Sequence, residues 1–290
     1  MKVLLTGAGG QLGRDLRRTV PSFVRLLPFE RDALDISDAW AVTALLDEER
    51  PDLLINAAAY TAVDRAENER EQAWAVNADG VANLGRAAAR AGTRMLHVST
   101  DFVFAGEQSS PYLPTDCPHP LSVYGASKLA GEQELLAISR GEALIMRTGW
   151  LYAAGGRNFV STILRLLSER EEVRVVADQI GTPTWTRSLA EALWAAAARP
   201  TLRGIYHWSD AGVASWYDFA VAIQEEALRL GLLRRAVAIC PIATADYPTP
   251  ARRPPYSVLD KSASWRDLAQ PARHWRVCLR EMLEELKTDE

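Results

Sequence analysis

Tyr124 and Lys128 form the pair of side chains in this sequence that is best suited to acid–base chemistry. Residues four apart share one face of a helix, so the Lys128 ammonium group can lie near the Tyr124 phenol. A free tyrosine has a pKa near ~10, and a nearby cation lowers that pKa because it stabilises the phenolate. The spacing is common on helices and means little alone. Together with its neighbours it predicts Tyr124 as a proton donor that Lys128 keeps acidic.

A hydroxyl group and a carboxyl group follow the strand-like segment Met95–Ser99, at Thr100 and Asp101. Ligands bind at the carboxyl ends of the strands in parallel α/β sheets. The Thr100 hydroxyl could therefore hydrogen-bond a substrate carbonyl oxygen beside the Tyr124 phenol, although a simple turn or helix cap is the alternative. Thr100, Tyr124 and Lys128 are the predicted catalytic residues.

A glycine-rich loop, Thr6-Gly7-Ala8-Gly9-Gly10-Gln11-Leu12-Gly13, directly follows the first strand-like segment and opens the first helical one. Gly7, Gly10 and Gly13 permit a tight turn, a close approach of the backbone to a pyrophosphate and close packing of the helix. The N–H groups and the positive dipole end of the helix would hold the diphosphate. The loop predicts a dinucleotide site, with a plain structural turn as the alternative.

The choice of dinucleotide depends on the residues after the second strand, where Glu30 and Arg31 follow each other. Glu30 could accept hydrogen bonds from the adenosine ribose and would repel a 2′-phosphate, which favours NADH. Arg31 and Arg14 could neutralise that phosphate, so NADPH remains open, and Glu30 could also be a solvated surface charge. Asp35 and Ile36 are expected near the adenine.

The elements that must position these residues alternate between strand-like and helical patterns. The strand-like segments are Lys2–Thr6, Val24–Phe29, Leu53–Ala57, Met95–Ser99 and Leu144–Arg147, and the helical ones are Gln11–Thr19, Ala39–Glu49, Asp79–Ala91 and Tyr124–Ser139. The strands are almost continuously apolar, as in a parallel sheet covered on both faces. We predict a Rossmann-type, doubly wound α/β domain over residues 1–150. Pro28 is awkward inside a strand and is expected at its end or at a bulge.

The second half, residues 151–290, has a looser pattern and is predicted to be mainly a smaller α/β lobe that binds the substrate, with a boundary interleaved between the halves. Helical and strand-like runs alternate here before a proline-rich stretch, residues 248–255. The runs are helical at Phe159–Glu169, Arg187–Ala198, Ser215–Leu230 and Val277–Leu286, and strand-like at Val173–Ala177 and Ile205–Trp208.

The composition excludes several classes of protein. The 290 residues carry a formal net charge of −4, so no basic surface is expected to bind nucleic acid. The three cysteines, Cys117, Cys240 and Cys278, form no C-x-x-C pair, and the four histidines, at 97, 119, 207 and 274, lack ligand spacing. We therefore expect neither a disulfide framework nor a catalytic metal. The N-terminus does not resemble a signal peptide and no apolar run is long enough to cross a membrane, so a cytoplasmic protein is expected.

Taken together, the order and spacing of these motifs resemble the extended short-chain dehydrogenase/reductase family. The matching features are the glycine loop, Asn56-Ala57-Ala58-Ala59, Asn77, Thr100 and the Tyr124/Lys128 pair. Within the family, the similarity to nucleotide-sugar reductases extends over nearly the whole chain. It is carried by Asn56–Asp64, Ser99–Phe104, Trp150–Tyr152, Asp178–Thr184 and Tyr247–Pro254. The resemblance implies that NADH or NADPH reduces the C4 keto group of a nucleotide-linked deoxysugar, with Tyr124 as proton donor.

The resemblance also implies individual roles. Gly10, Gln11 and Leu12 would cradle the cofactor diphosphate, and a run of four residues, Ala58, Ala59, Tyr60 and Thr61, would line the cofactor groove. Thr100, Asp101 and Trp150 would contact the sugar nucleotide, although Trp150 could instead be a core residue. Arg252 or Arg253 would meet the sugar-nucleotide diphosphate, since a guanidinium binds phosphate oxygens in pairs and the flanking prolines hold the loop extended. Both arginines could also be solvated loop charges.

Two alternatives and one departure from the family pattern stay open. The chain could be a reductase or epimerase for another nucleotide-linked 4-keto sugar, or a non-catalytic, cofactor-binding regulatory subunit. Some members form a dimer bridged by Mg²⁺ through glutamates, one of them in the first helix. This chain has Asp15 at that position. A Mg²⁺-linked dimer is therefore doubtful, and the chain is expected to be a monomer or a homodimer.

Overall fold

Six parallel strands form the main sheet of the protein, for which a computed structural model describes residues 1–270 and 273–288. The strands, numbered in chain order, are β1 (Lys2–Thr6), β2 (Arg25–Phe29), β3 (Leu53–Asn56), β4 (Arg94–Thr100), β5 (Leu144–Thr148), β6 (Leu151–Tyr152), β7 (Glu172–Val176), β8 (Ile180–Gly181), β9 (Thr184–Trp185), β10 (Gly204–His207), β11 (Ala214–Ser215) and β12 (Ala238–Ile242). The sheet order is β10-β5-β4-β3-β1-β2, with every neighbouring pair parallel. The chain runs from β1 outward to β2 and then returns to β3 on the other side. The predicted Rossmann-type sheet is thereby confirmed, with its switch point between β1 and β3.

Helices connect the strands and cover both faces of this sheet. In chain order they are α1 (Gln11–Arg18), α2 (Ala39–Glu49), α3 (Val63–Ala66), α4 (Arg70–Trp74), α5 (Gly80–Ala91), α6 (Val123–Ile138), α7 (Phe159–Glu169), α8 (Thr186–Ala197), α9 (Trp216–Leu230), α10 (Ser262–Leu268) and α11 (Trp275–Thr288). A π-helical turn, Ala75–Asp79, joins α4 to α5, and 3-10 turns lie at Asp101–Val103 and Thr244–Asp246. Along β1, Val3 and Leu5 pack with α1 and α8, whereas Leu4 packs with α2 and α5. The apolar runs of the sequence are therefore buried on both faces.

Pro28 lies within β2, not at its end, opposite Leu5 of β1. The strand is at the edge of the sheet, where it has a neighbour on one side only. An edge position tolerates a residue without an N–H group because not every backbone group has to pair. The expectation of a strand end or a bulge at Pro28 was wrong for this reason.

The second half of the chain contributes to the main sheet as well as forming its own core. Strand β10, predicted at Ile205–Trp208, pairs with β5 and completes the sheet, and α8 covers one of its faces. A separate core is built from α7, α9 and α11, where Phe219, Ile223 and Leu279 are fully buried. Paired strands β7 and β12 border that core. A division of the chain at residue 150 stays a prediction.

Among the described residues, none of the helices combines the length and the apolar character that crossing a bilayer requires. The three cysteines are free thiols, with Cys117 exposed and Cys278 buried in the core of the second half.

A buried ion pair attaches α6 to the sheet. Arg147 of β5 donates from Nε to Glu132 Oε1 at 2.9 Å and from Nη2 to Oε2 at 2.6 Å. The two side chains are 2% and 1% exposed, so water does not solvate either charge. Each charge depends on the other, since a buried charge without a partner is strongly destabilising. Helix α6 carries the Tyr124/Lys128 pair, and this contact helps to fix its distance from β4 and β5.

Replacing Glu132 by glutamine should therefore lower the free energy of unfolding by about 3–5 kcal/mol, because the Arg147 charge stays buried without its counter-ion. Glu142→Gln is the matched control. Glu142 pairs with Arg203 at 2.8 Å, but both side chains are more than 60% exposed, and such pairs contribute about 0–1 kcal/mol. Urea unfolding of the two variants and the parent measures the difference. Equal losses in both variants would contradict this account of the Glu132–Arg147 pair.

Candidate active site

One cleft of about 860 Å³ opens at the carboxyl ends of β1, β3, β4 and β5. It gathers nearly all of the residues that were predicted to bind ligands. These are Gly7, Gly10, Gln11, Leu12, Gly13, Glu30, Asp35, Ile36, Ala58, Ala59, Tyr60, Thr61, Thr100, Asp101, Tyr124, Lys128 and Trp150. Arg252 and Arg253 do not line it. Residues from six separate parts of the sequence thus meet where ligands bind in this class of sheet.

The glycine loop fits a diphosphate because its backbone is bare and tightly folded. Gly7 has a φ of +72°, and a Cβ there would lie 2.6 Å from the carbonyl group of Ala57 beyond β3. A Cβ on Gly13 would collide with the Gly7 carbonyl oxygen, so α1 packs directly on the loop. The N-cap of α1 is Gly10, which has no side chain to accept hydrogen bonds from the first turn. Those N–H groups are the donors that a diphosphate uses at a helix N-terminus.

The charges beside this loop have separate roles. Glu30 lies at the edge of the cleft and is exposed, with Arg17 3.5 Å away. Arg31 also lines the cleft. Arg14 instead donates to the carbonyl oxygens of Gly9 and Gly155, both at 3.1 Å. Of the two arginines considered for a 2′-phosphate, Arg31 is the one at the cleft.

Asn77, on the π-helical turn, shapes the wall of the cleft after β3. Its Oδ1 accepts from the Tyr60 N–H at 2.9 Å, and its Nδ2 donates to the Tyr60 carbonyl oxygen at 3.0 Å and to Ser127 Oγ at 3.1 Å. One amide thus holds the run from Ala58 to Thr61 against α6. The sequence indicated Asn77 only through the family resemblance.

Thr100 and Tyr124 meet where β4 ends and α6 begins. Both side chains line the cleft, and Thr100 is close enough to the Tyr124 phenol to lower its pKa. Thr100 Oγ1 also donates to Asp101 Oδ1 at 3.0 Å and accepts from the Phe102 N–H at 3.1 Å. The threonine is therefore a turn cap that also lies beside the phenol, and its hydrogen bond to a substrate carbonyl stays a prediction. A Cβ on Gly125 would collide with the Phe102 carbonyl oxygen, which shows how closely α6 begins against this turn.

The electrostatics of Tyr124 differ from the expectation. Burial raises the pKa of Tyr124 to about 12, and the negative charge of Asp101 acts in the same direction, against the smaller, lowering effect of the Thr100 side chain. The prediction that Lys128 lowers this pKa was wrong. Lys128 Nζ donates to the Val98 carbonyl oxygen at 2.8 Å and lies 3.3 Å from His97 Nε2, so its contacts are with β4. Burial lowers the pKa of Lys128 to about 8, and the nearby Glu132 charge opposes that shift.

Trp150 stands in the cleft wall and is also part of the second-half core. It has a φ of +53°, unusual for a large side chain, and its ring stacks on Trp216 with centroids 3.4 Å apart. A Cβ on Gly181 would collide with that ring, so the position behind it requires glycine. Trp150 therefore packs against the core and also lines the cleft, and its contact with a sugar nucleotide stays a prediction.

The two arginines of the proline-rich stretch differ from each other. Arg253 donates to both carboxylate oxygens of Asp64, at 3.0 and 2.8 Å, and to Thr249 Oγ1 at 2.6 Å. This ion pair fastens the stretch to α3. Arg252 is exposed. Contact of either arginine with a diphosphate stays a prediction, and Arg252 is the one whose guanidinium is not paired with Asp64.

Two buried residues that the sequence did not single out for this site are Asn56 and His97. Asn56 Oδ1 accepts from Thr6 Oγ1 at 2.6 Å and from the Ala58 N–H at 3.0 Å. Its Nδ2 lies 3.0 Å from His97 Nδ1, and the far side of the imidazole faces Lys128. Asn56 and His97 are register partners on β3 and β4. The register of β3 against β4 would have predicted the contact between these two residues, but a single sequence does not show that register.

No group of three or more metal-ligating side chains is found within residues 1–270 and 273–288. Asp15, at the helix position compared with the bridging glutamate, is buried and accepts a hydrogen bond from the Thr186 hydroxyl.

The fold and the arrangement at the cleft define a Rossmann-type protein of the short-chain dehydrogenase/reductase class. Comparison of the whole sequence with known families identifies the family within this class. The chain belongs to the family described as the RmlD substrate binding domain, whose sequence model matches residues 1–288. The family resemblance inferred from the motifs is thereby confirmed, over nearly the full length of the chain.

Several relatives with known names or structures match along their whole length. The dTDP-4-dehydrorhamnose reductase of Burkholderia thailandensis is 42% identical over 297 residues, covering 98% of this chain and 99% of the relative. The crystal structure of a dTDP-4-dehydrorhamnose reductase from Clostridium acetobutylicum is similar with a TM-score of 0.93 at 38% identity, covering 99% and 100% of the two chains. A dTDP-4-dehydrorhamnose reductase from Bacillus anthracis, solved in complex with NADP, has a TM-score of 0.92 at 37% identity and coverage of 98% and 99%.

The buried carboxyl group of Asp101 makes stability depend on pH. Burial raises its pKa from 3.8 to about 6, so between these values the folded chain binds more protons than the unfolded chain. Stability contributed by the neutral form is then lost as the pH rises from about 4 to about 6. Asp101→Asn removes this dependence and should raise the free energy of unfolding at pH 7 by up to about 3 kcal/mol relative to the parent.

The comparison requires urea unfolding of both proteins at pH 4.5 and pH 7. The gain from Asp101→Asn should be much smaller at pH 4.5, because the carboxyl group of the parent is then largely neutral in the folded state. A gain that is the same at both pH values would show that the Asp101 charge is not its cause.

Proposed function

We propose that this chain reduces the C4 keto group of dTDP-4-dehydro-β-L-rhamnose to give dTDP-β-L-rhamnose, with NADH or NADPH as the reductant. Full-length relatives that carry the name of this activity support the proposal. The observation that carries it is the adjacent pair of Thr100 and Tyr124 in the same cleft as the bare glycine loop. A non-catalytic cofactor-binding protein would need the loop but not this pair.

The cleft also supports an assignment of residues to each part of a nicotinamide cofactor. The first turn of α1, with Gly10 at its cap, would hold the diphosphate, and Glu30 with Arg31 would meet the adenosine ribose. Asp35 and Ile36 would lie near the adenine, and the wall from Ala58 to Thr61 would border the rest of the cofactor. The reduced nicotinamide supplies the hydride when it is bound. The structure of the relative from Bacillus anthracis holds NADP, which supports a cofactor of this kind here.

The chain's own residues supply the proton and the alignment. Tyr124 gives the proton of its hydroxyl to the oxygen at C4 as the carbonyl becomes an alkoxide. A reductase needs this phenol protonated at rest, and the pKa of about 12 keeps it so at neutral pH. Thr100, fixed by Asp101 and the Phe102 N–H, would orient the carbonyl oxygen toward the phenol. Trp150 and Asp101 would border the sugar, and Arg252 is the candidate for its diphosphate.

The direct test is the loss of absorbance of the reduced nicotinamide when the purified chain is mixed with dTDP-4-dehydrorhamnose and either NADH or NADPH. Oxidation that depends on the sugar nucleotide is the expected result. Cofactor binding without oxidation would contradict the proposed substrate, and would leave another nucleotide-linked 4-keto sugar or a regulatory subunit as the explanation.

Tyr124→Phe should reduce kcat by about 10²–10⁴-fold, because the proton donor is lost while the ring is kept. Cofactor affinity should change little. The matched control is Tyr206→Phe, which removes a hydroxyl that donates to Asp267 at 3.0 Å outside the cleft. Steady-state kinetics and fluorescence titration with NADPH give the two readouts. Near-normal turnover of Tyr124→Phe would assign the proton to another group.

Cofactor preference should move in opposite directions in two variants. Glu30→Gln removes the charge that repels a 2′-phosphate. It should raise the ratio of kcat/KM for NADPH to kcat/KM for NADH by about tenfold, which is equivalent to ~1.4 kcal/mol. Arg31→Gln removes the cation that faces that phosphate and should lower the same ratio to a similar extent. Each variant controls for the other, since general damage to the site would not reverse the preference. Shifts of the same sign in both would argue against these roles.

A further inference from the structure

We propose that His97 is a positioning residue that sets the protonation of Lys128, because Asn56 holds the imidazole with its proton on Nε2 and that N–H favours the amine form of the lysine. The inference rests on the proposed function in that Lys128 belongs to its acid–base set. Its structural basis is independent of the substrate. It follows from one chain of buried hydrogen bonds that runs from the Ala58 backbone to the Lys128 side chain.

The orientation of the Asn56 amide starts the chain. The Ala58 backbone N–H can only donate, and it lies 3.0 Å from Asn56 Oδ1. The Thr6 hydroxyl donates to the same oxygen at 2.6 Å. Asn56 Nδ2 is therefore the atom that faces His97, and an amide nitrogen can only donate. Consequently His97 Nδ1, 3.0 Å away, must be the acceptor and carries no proton.

The tautomer of His97 follows from this contact. The side chain is 0% exposed, and this burial is the main cause that holds the pKa of His97 well below its usual range. The ring is therefore neutral and carries one proton. Since Nδ1 is an acceptor, that proton is on Nε2. Nε2 then presents an N–H to Lys128 Nζ at 3.3 Å.

An N–H that faces the nitrogen of a lysine suits an amine and opposes an ammonium. The amine has a lone pair for the Nε2 proton and still donates to the Val98 carbonyl oxygen at 2.8 Å. The ammonium has only donors. To accept a hydrogen bond from the ammonium, His97 would have to carry its proton on Nδ1 instead, where it would face the donor Asn56 Nδ2. If the Asn56 amide were turned to relieve this conflict, its Nδ2 would face the Ala58 N–H. Every rearrangement leaves a buried donor facing a donor.

The other charged and titratable groups around Lys128 do not provide this control. Glu132, one turn further along α6, raises the pKa of Lys128, but its carboxylate is paired with Arg147 of β5. Tyr124, one turn earlier, is half-buried and Asp101, directly after β4, is buried, and the pKa values of both are themselves raised. His97 is the titratable group on β4 that contacts Lys128 Nζ.

Asn56→Asp is the variant that reverses the tautomer with a minimal change of shape. One carboxylate oxygen can still accept from Thr6 and Ala58. The other replaces Nδ2 and now requires a proton on His97 Nδ1, which leaves Nε2 as an acceptor for the ammonium of Lys128. We expect the pKa of Lys128 to rise by about one unit or more, a tenfold change in the ratio of ammonium to amine.

The measurement is NMR of the protein without substrate. Ring ¹⁵N shifts report which nitrogen of His97 is protonated, and the ε-carbon and ζ-nitrogen signals of Lys128 report its titration. The chain has only four histidines and four lysines, and the signals of His97 are assigned by their loss in His97→Gln. The parent should show the proton on Nε2, and Asn56→Asp should show it on Nδ1. A proton on Nδ1 in the parent would overturn the proposal, whether or not the variant folds.

A double variant separates the tautomer from the simple effect of a new negative charge. In His97→Gln, Asn56→Asp should change the pKa of Lys128 far less than it does when the imidazole is present. An equal rise in both backgrounds would reject His97 as the intermediary. In the kinetic assay, the limb of the kcat–pH profile that reports Lys128 should move to higher pH in Asn56→Asp. The NMR results do not depend on turnover, so failure of the proposed reduction would leave them standing.

Discussion

The hydrogen bond between Thr6 and Asn56 is the contact on which the rest of the site depends. It joins the last residues of β1 and β3 at the point where the order of the sheet reverses. The bare glycine loop leaves β1 on one side of it, and the wall of the cleft leaves β3 on the other. Gly7 has to be glycine because the backbone that follows β1 passes too close to the backbone that follows β3 for a side chain to fit. The same asparagine reaches across to β4, so the contact that opens the cleft also orients the groups at its base.

Contacts on two sides of α6 fix the position of this helix beside the cleft. The Arg147–Glu132 pair and the Asn77 amide hold the helix from two sides, one toward the sheet and one toward the cleft wall. Tyr124 and Lys128 are consequently presented by a helix that is fixed along its length. Lys128 is buried and Tyr124 is half-buried in the cleft wall, and the loss of water around each group moves its pKa away from the usual value. Burial acts in opposite directions on an acid and a base, and it outweighs the mutual effect that their spacing suggests.

Much of the fold and of the cleft could be predicted because the signals are local. Alternating apolar runs, a glycine loop between a strand and a helix, and a Tyr-x-x-x-Lys spacing each lie within a few residues of sequence. Apart from the effect of Lys128 on the pKa of Tyr124, the errors and omissions concern distant contacts. Pro28 was misjudged because the sequence does not show that β2 is an edge strand. The partner of Arg253, Asp64, is 189 residues away. The sequence did not single out His97 for the site, because its contact with Asn56 depends on the register of β3 against β4. These are relations between elements, which no local pattern records.

The position of β10 has a consequence for how the molecule is made. The sixth strand lies beyond β5 but follows it in the sequence by more than fifty residues, with the whole of α7 and α8 between them. While the chain is being synthesised, β5 remains an uncovered edge of an apolar sheet until residue 207 has emerged. Such edges pair readily with other chains. Strand β10 therefore covers the exposed edge of β5, and the first half of the nascent chain depends on the second half for protection from aggregation.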